Sequence, residues 1–411
     1  MRLIIFLTIS LIFYANASVS QTGWFQQNSN CNTTLGAVAF LNADSGFCVG
    51  GFGKILKTTN GGINWDSVDT PFTIHLFSVV ILNSNEVLTC GVDRTVLKST
   101  NFGANWYRIT NINDGYNLYH MEFTNEIVGY IASESGVILK STNSGDSWFS
   151  LDSPYPFAQA FNGLSFLDIN TGHVVGYGLT FGSPIVRTTD GGMSWIRYLN
   201  PTQTPLYSVK MFNYDIGLIG DNYGLLRTSN GGVNWIETSV PASFCTDISF
   251  PTSKIAYAVG SNIIKSTDSG INWTEQQIPT TEYFNGVCFI NENTGYAVGQ
   301  NGTILKTTSG GIVDIEPLSN NVPDKYILYQ NYPNPFNPKT VINYELRVTS
   351  KAMLKVFDVL GTEVAELVNE KQYAGSYSVE FNGIGFASGV YYYSIYLNGS
   401  LFETKRMVLL K

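Results

Sequence analysis

With 411 residues, 44% hydrophobic and 13% charged, the chain is long enough to bury a large core and too apolar to stay disordered. A formal net charge of −8, without runs of like charge, argues against nucleic acid or an anionic membrane as partner, since a polyanion would be repelled. Five cysteines, odd in number and at no equivalent spacing, read as small buried hydrophobes rather than a disulfide framework. One chance bridge is compatible with an oxidising compartment. No Cys/His spacing suggests a metal, and no cofactor is expected.

In chain order, the N-terminus reads as a secretory signal. Arg2 supplies the positive region, Leu3–Tyr14 is nearly unbroken apolar sequence, and Ala15-Asn16-Ala17 offers a small-x-small cleavage site. Cleavage after Ala17 is expected, with Ser20 as the alternative; no Cys follows to direct lipoprotein processing. No later segment is long enough to span a bilayer, so no transmembrane segment is expected.

Residues 18–313 are dominated by one string in six near-copies: KTTNGGINW (57–65), KSTNFGANW (98–106), KSTNSGDSW (140–148), RTTDGGMSW (187–195), RTSNGGVNW (227–235) and KSTDSGINW (265–273). A seventh, KTTSGG from Lys306, lacks the Trp. The basic residues lie 41, 42, 47, 40, 38 and 41 positions apart, a unit of about forty residues. Each unit reads as four short alternating strands joined by Gly/Asn/Asp turns, which predicts a four-stranded antiparallel sheet. Sheets repeated at this period pack radially as a propeller. The turn residues Asn60, Asn101, Asn143, Asp190, Asn230 and Asp268 are expected to accept backbone hydrogen bonds. Trp65, Trp106, Trp148, Trp195, Trp235 and Trp273 are expected to cover the turns and pack between sheets. Trp24, 41 residues before Trp65, has no turn motif ahead of it. Ring closure explains both oddities: the strand around Trp24 completes the last blade, giving seven blades with no open edge.

The S/T-x-D/N-x-G-x-x-W turn resembles the Asp box of bacterial neuraminidase repeats. The longer form, G-x-I-L-K-T-T-N-G-G-x-N-W, is similar to the propeller repeats of photosystem II assembly factors. Over residues 24–311 the resemblance implies a shared blade, an all-β fold, and little about activity, because the Asp box serves sialidases, xyloglucanases, sorting receptors and binding proteins alike.

Residues 314–325, rich in Pro, Asn and charge, read as a linker. Alternating strands separated by LG, AG, NG and SG turns over 326–411 predict a small Ig-like β-sandwich. Its motifs YPNPFNP, VFDVLGTEV, ASGVYYY and KRMVLLK closely resemble the type A C-terminal sorting domain of the type IX secretion system. That resemblance implies a Gram-negative Bacteroidetes-type host, export through the periplasm, and partners in the secretion machinery and its sortase. The product would be secreted or held at the outer-membrane surface, with Lys405, Met407 and Lys411 in the terminal signal.

Function is expected where repeats differ. Loops preceding the first strand of each blade carry Phe72, Tyr116, Tyr155, Phe157, Phe244 and Tyr283, a candidate rim for an extracellular protein or glycan. The loop 176–184 in the fourth unit accounts for the 47-residue interval. In the first strands His120, Glu122, Lys210 and Asp247 break the apolar alternation and would face the central channel, as a polar ligand site or a hydrated lining of paired charges. Catalytic signals are sparse: three His, no GxSxG, and Arg187 and Arg227 committed to the repeat's basic position. A non-catalytic binding or adhesion propeller is expected; the alternative is a glycoside hydrolase, sialidase- or xyloglucanase-like, using Glu122 or Asp247.

Overall fold

The computed structural model describes residues 23–112, 116–152, 155, 158–178, 182–241, 244–311 and 325–410. The expected leader, Phe157, Lys411, residues 179–181 of the long loop and all of the linker but Lys325 lie outside the described residues. The chain divides into two compact units, one running to Val313 and one starting at Asp314.

The first unit is a ring of seven four-stranded antiparallel sheets. Six blades are built from consecutive strands; their first strands are Leu35–Phe40, Leu76–Ile81, Leu118–Phe123, Ala160–Phe166, Leu206–Met211 and Cys245–Ser249. The seventh takes three strands from Phe284–Phe289, Gly295–Gly299 and Ile304–Thr307, and its fourth from Phe25–Gln27. Phe25 lies opposite Lys306 and Gln27 opposite Ile304. The second strand of every blade is buried throughout or nearly so, because sheets cover it on both faces and both edges are paired.

The repeated turn closes on itself. In blades one to six the Thr or Ser hydroxyl accepts the Gly N–H four residues on, and the Asn or Asp side chain accepts the N–H just before the Trp, at 2.8–3.1 Å. Gly is required where the turn meets the neighbouring blade. Gly145 has φ +82°, and a Cβ there would stand 2.4 Å from Leu88 of the preceding blade. Each Trp then packs back on that preceding blade: Trp106 against Phe47, Trp235 against His173, Trp65 against Tyr296. Trp24 fills the equivalent gap between blades six and seven, edge-on to Tyr257 and Phe289.

In six of the seven repeats the opening basic residue also reaches forward. Lys57, Lys98, Lys140, Arg227, Lys265 and Lys306 donate to a backbone carbonyl in the next blade's turn at 2.6–3.0 Å, Lys306 closing the circle on Gly61. Tyr257 and Tyr296 donate their hydroxyls to the same carbonyls, of Gly310 and Gly61, at 2.8 Å, and Tyr130 donates to Ile169 at 2.9 Å and Gly191 at 3.4 Å. Carbonyls that would otherwise be buried without partners are satisfied across these six interfaces.

The second unit is a sandwich of a three-stranded sheet (Ile327–Leu328, Lys339–Leu346, Gly375–Asn382) and a four-stranded one (Ser350–Phe357, Glu363–Gln372, Gly389–Leu397, Ser400–Leu409). Alternation along the last strand buries Met407 and Leu409 in the core with Phe336, Leu354 and Tyr393. The Pro-rich loop lies along this strand: the Phe336 N–H donates to the Val408 carbonyl, the Leu410 N–H to the Phe336 carbonyl, and the Val408 N–H to Asn334 Oδ1, at 2.9–3.0 Å.

Candidate functional site

The channel is lined by the first strand of every blade, and in all seven the ladder slips at the same place. The register jumps from Leu35 to Ala37, Leu76 to Ser78, Leu118 to His120, Phe161 to Gly163, Leu206 to Ser208, Cys245 to Asp247 and Phe284 to Gly286. Each skipped residue faces a cavity of about 420 Å³. Gly36, Phe77, Tyr119, Asn162, Tyr207, Thr246 and Asn285 thus form a collar at its mouth, with Phe77 and Tyr119 tilted together at 5.5 Å. Sequence reasoning missed this collar because a bulge is invisible in an alternating apolar run. Stacking the seven first strands column by column would have exposed it, as the column after the leading apolar residue follows no hydrophobic rule.

Below the collar, the side chains that break the alternation are ties between blades. First strands do not pair with one another, so their inward N–H groups need acceptors, and the preceding blade supplies them. His120 Nδ1 accepts from Leu164 N–H at 3.2 Å and Glu122 Oε2 from Phe166 N–H at 2.9 Å. Ser78 accepts from Met121 N–H at 3.1 Å and Ser165 from Met211 N–H at 3.0 Å. Asp247 Oδ2 accepts from Val287 N–H at 2.9 Å, its Oδ1 from Ile248 N–H at 2.8 Å, and Ser249 from Phe289 N–H at 3.3 Å. Among the collar residues, Asn162, Thr246 and Asn285 donate to the first carbonyl of the following blade at 2.8–2.9 Å.

The four channel residues expected from sequence are brought together in part. Lys210 Nζ crosses from blade five to Glu122 Oε1 of blade three at 2.6 Å. That carboxylate is the main reason the Lys210 pKa rises, against its burial. Burial pulls the His120 imidazole down to about 4, opposed by Glu122. Burial pushes the Asp247 carboxyl up to about 6, opposed by its two backbone N–H bonds and by Lys210. Glu122 has both oxygens engaged, one by Lys210 and one by backbone, which suits a structural anion better than a proton carrier.

On the rim, Tyr116 is 61% exposed and Tyr283 49% exposed. Tyr155 belongs elsewhere: it is 5% exposed, packed into the blade-three and blade-four core with the Arg197 guanidinium 4.4 Å above its ring. A contact role for Tyr155 is corrected to a packing one. Phe244 folds onto Tyr207 at 5.0 Å. Two exposed aromatics escaped the sequence reading, Phe52, set against His75 at 5.2 Å, and Tyr223, because both sit in the short loops between second and third strands. In the terminal signal, Met407 is fully buried and Lys405 pairs with Glu403 at 2.9 Å. Among the described residues no cluster of three or more His, Cys, Asp and Glu could hold a metal, and no helix is long and apolar enough to cross a membrane.

Residues 16–148 match the family model of the photosynthesis system II assembly factor YCF48, and residues 330–410 that of the secretion system C-terminal sorting domain. No curated protein matches the chain. Among solved structures, YCF48 bound to a D1 peptide is similar at 17% identity and TM-score 0.58, covering 70% of this chain and 97% of its own. YCF48 from Cyanidioschyzon merolae gives 18% identity and TM-score 0.57 over 69% and 98%. PorZ, described as an essential surface component of the type IX secretion system of Porphyromonas gingivalis, gives 13% identity and TM-score 0.54 over 90% of this chain and 59% of its own. At these identities the structures speak for the fold alone. The sorting tail adds that the protein is handled by type IX secretion and is secreted or surface-located in Bacteroidetes-like bacteria. This chain therefore joins a YCF48-like propeller to a type IX C-terminal sorting domain.

Proposed function

We propose that the protein is a non-catalytic binding module of the cell exterior, delivered by type IX secretion and engaging an extracellular protein or glycan through its loop rim. The observation that carries this reading is the contrast between channel and rim. Both candidate carboxylates in the channel hold the ring together through backbone N–H groups, whereas Tyr116 and Tyr283 stand exposed on the loops. Two YCF48 structures and PorZ share the propeller, and one of those YCF48 structures holds a peptide, which supports a binding role. In this reading residues 1–17 are removed on export, residues 18–313 form the propeller, 314–325 link it to the sorting domain, and 326–411 are cleaved at the surface.

Two measurements test it. Deleting 326–411 should retain the propeller in the periplasm; normal surface delivery of the truncated chain would end the sorting assignment. Glycan arrays and surface-protein binding assays with Tyr116→Ala and Tyr283→Ala should show weakened capture at unchanged thermal stability. Turnover of a polysaccharide that disappears in Glu122→Gln would instead make the protein a hydrolase.

A further inference from the structure

Four blades carry a polar residue just past the register jump, and Ser78, His120 and Asp247 use it to tie the following blade, whereas Ser208 of blade five does not. By register Ser208 stands where it would accept the Ile248 N–H, as Ser78 accepts that of Met121 and His120 that of Leu164. Asp247 has turned onto its own backbone and taken that N–H at 2.8 Å. Ser208 is 6% exposed, lines the cavity, and its Oγ has no hydrogen-bond partner among the described residues. A buried hydroxyl left in this state costs stability unless something else meets it.

Asp247, on the adjoining strand, lines the same cavity. Each of its oxygens accepts one N–H, leaving further lone pairs open. Lys210 pairs with Glu122 at 2.6 Å and also acts on Asp247, so two carboxylates share one cation and a net negative charge remains. Just above, the collar offers the rings of Phe77, Tyr119 and Tyr207. A carboxylate with open lone pairs, a hydroxyl without a partner among the described residues and aromatic faces around one opening match a cation with several N–H donors on an apolar stem. The chain's net charge of −8 favours the approach of such a group.

We propose that the channel mouth binds an organic ammonium group, which donates to Asp247 and Ser208 while its alkyl stem passes between the collar rings. The ammonium comes either from a free alkylamine or from a lysine side chain of a protein. The site goes beyond the rim reading, since it uses the channel wall rather than the loops.

Calorimetry on the full mature chain tests this with pentylammonium, pentanol, pentanoate, a lysine-bearing peptide and its Nε-acetylated form. Pentylammonium should bind, while pentanol and pentanoate should not. Asp247→Asn should weaken binding at least tenfold. Ser208→Ala, which removes a hydroxyl the fold does not use, should weaken it several-fold with a melting temperature no lower than the parent's. In the unmodified protein binding should fall roughly tenfold from pH 7.5 to pH 5 as Asp247 takes up its proton. The titratable groups acting with Asp247 are Lys210 from blade five and Cys288 from blade seven, with Glu122 held by Lys210 and His120 lining the same cavity. His120 stays neutral over that range, and the pH dependence should vanish in Asp247→Asn. Binding of the lysine peptide that acetylation abolishes assigns the site to a protein partner; binding of pentylammonium alone assigns it to free amines. No binding of either at about 10 mM, equal binding of pentanoate, or an Asp247→Asn variant that binds normally overturns the proposal. None of those results touches the rim, whose own test uses Tyr116 and Tyr283.

Discussion

His173 stands where blades three, six and seven carry Tyr130, Tyr257 and Tyr296. Like them it donates to a carbonyl of the next blade's turn, here Gly231 at 3.1 Å. Its imidazole is fully enclosed, and burial holds it down at about 4. The unfolded chain, with histidine near its ordinary value of about 6.5, therefore binds a proton first, and the stability this site supports above that pH is lost as pH falls toward 4. His120 acts in the same sense. Asp247 acts oppositely, because its raised value favours the folded state at low pH and that contribution fades as pH rises through about 6. His173→Tyr should thus keep the ring folded at pH 7 and narrow the stability difference between pH 7 and pH 4.5 by about 2 kcal/mol. Urea unfolding followed by tryptophan emission checks this directly, since all seven Trp lie within the ring. Residues of this kind divide sharply in how readable they were. The turn Asn, Asp and Trp announced themselves by recurring. His173 occurs once, and its equivalence to a tyrosine shows only when the blades are superposed. Tyr155 read as a loop contact because its burial depends on Arg197, 42 residues away in the chain.

At the level of strands, the sequence predicted period, blade plan and closure, since each rests on local alternation and on repeated turns. The interblade ties were not predicted, because they depend on how one first strand is staggered against the next, which no alternating pattern encodes. The same gap affected the sorting domain. YPNPFNP and KRMVLLK were read as separate motifs at opposite ends of the domain, yet Asn334 binds Val408 N–H at 2.9 Å and Arg406 carbonyl at 3.3 Å. The loop thus covers the outer edge of a terminal strand that otherwise ends the four-stranded sheet. Asn334→Ala should leave the Val408 N–H on this edge without its acceptor, the Arg406 carbonyl keeping Gln330 Nε2 at 2.8 Å, and loosen the strand end by about 1–2 kcal/mol. Faster amide exchange at Val408, with the strand Lys339–Leu346 unchanged, is the expected readout; equal protection at Val408 would show that Phe336 holds the edge alone.

For the whole ring, stability is shared among similar interfaces, and the one between blades six and seven depends most on a distant part of the chain. Trp24 is completely buried there, with Tyr257 and Phe289. Trp24→Ala should cost about 3–5 kcal/mol through the cavity it leaves. A lower urea midpoint by far-ultraviolet circular dichroism checks this, and a midpoint within experimental error of the parent would mean that the strand Phe25–Gln27 closes the ring without its anchor.

Trp24 and Gly311 nearly touch: a Cβ added at Gly311 would stand 2.6 Å from the indole nitrogen. The two ends of the propeller segment therefore meet, and its linear order is one of seven equivalent cuts through a circle. A permuted chain that joined these ends and opened between blades three and four would exchange a backbone-laddered junction for one held by side chains alone. Such a permutant should still find the same architecture, yet come apart first at its new termini.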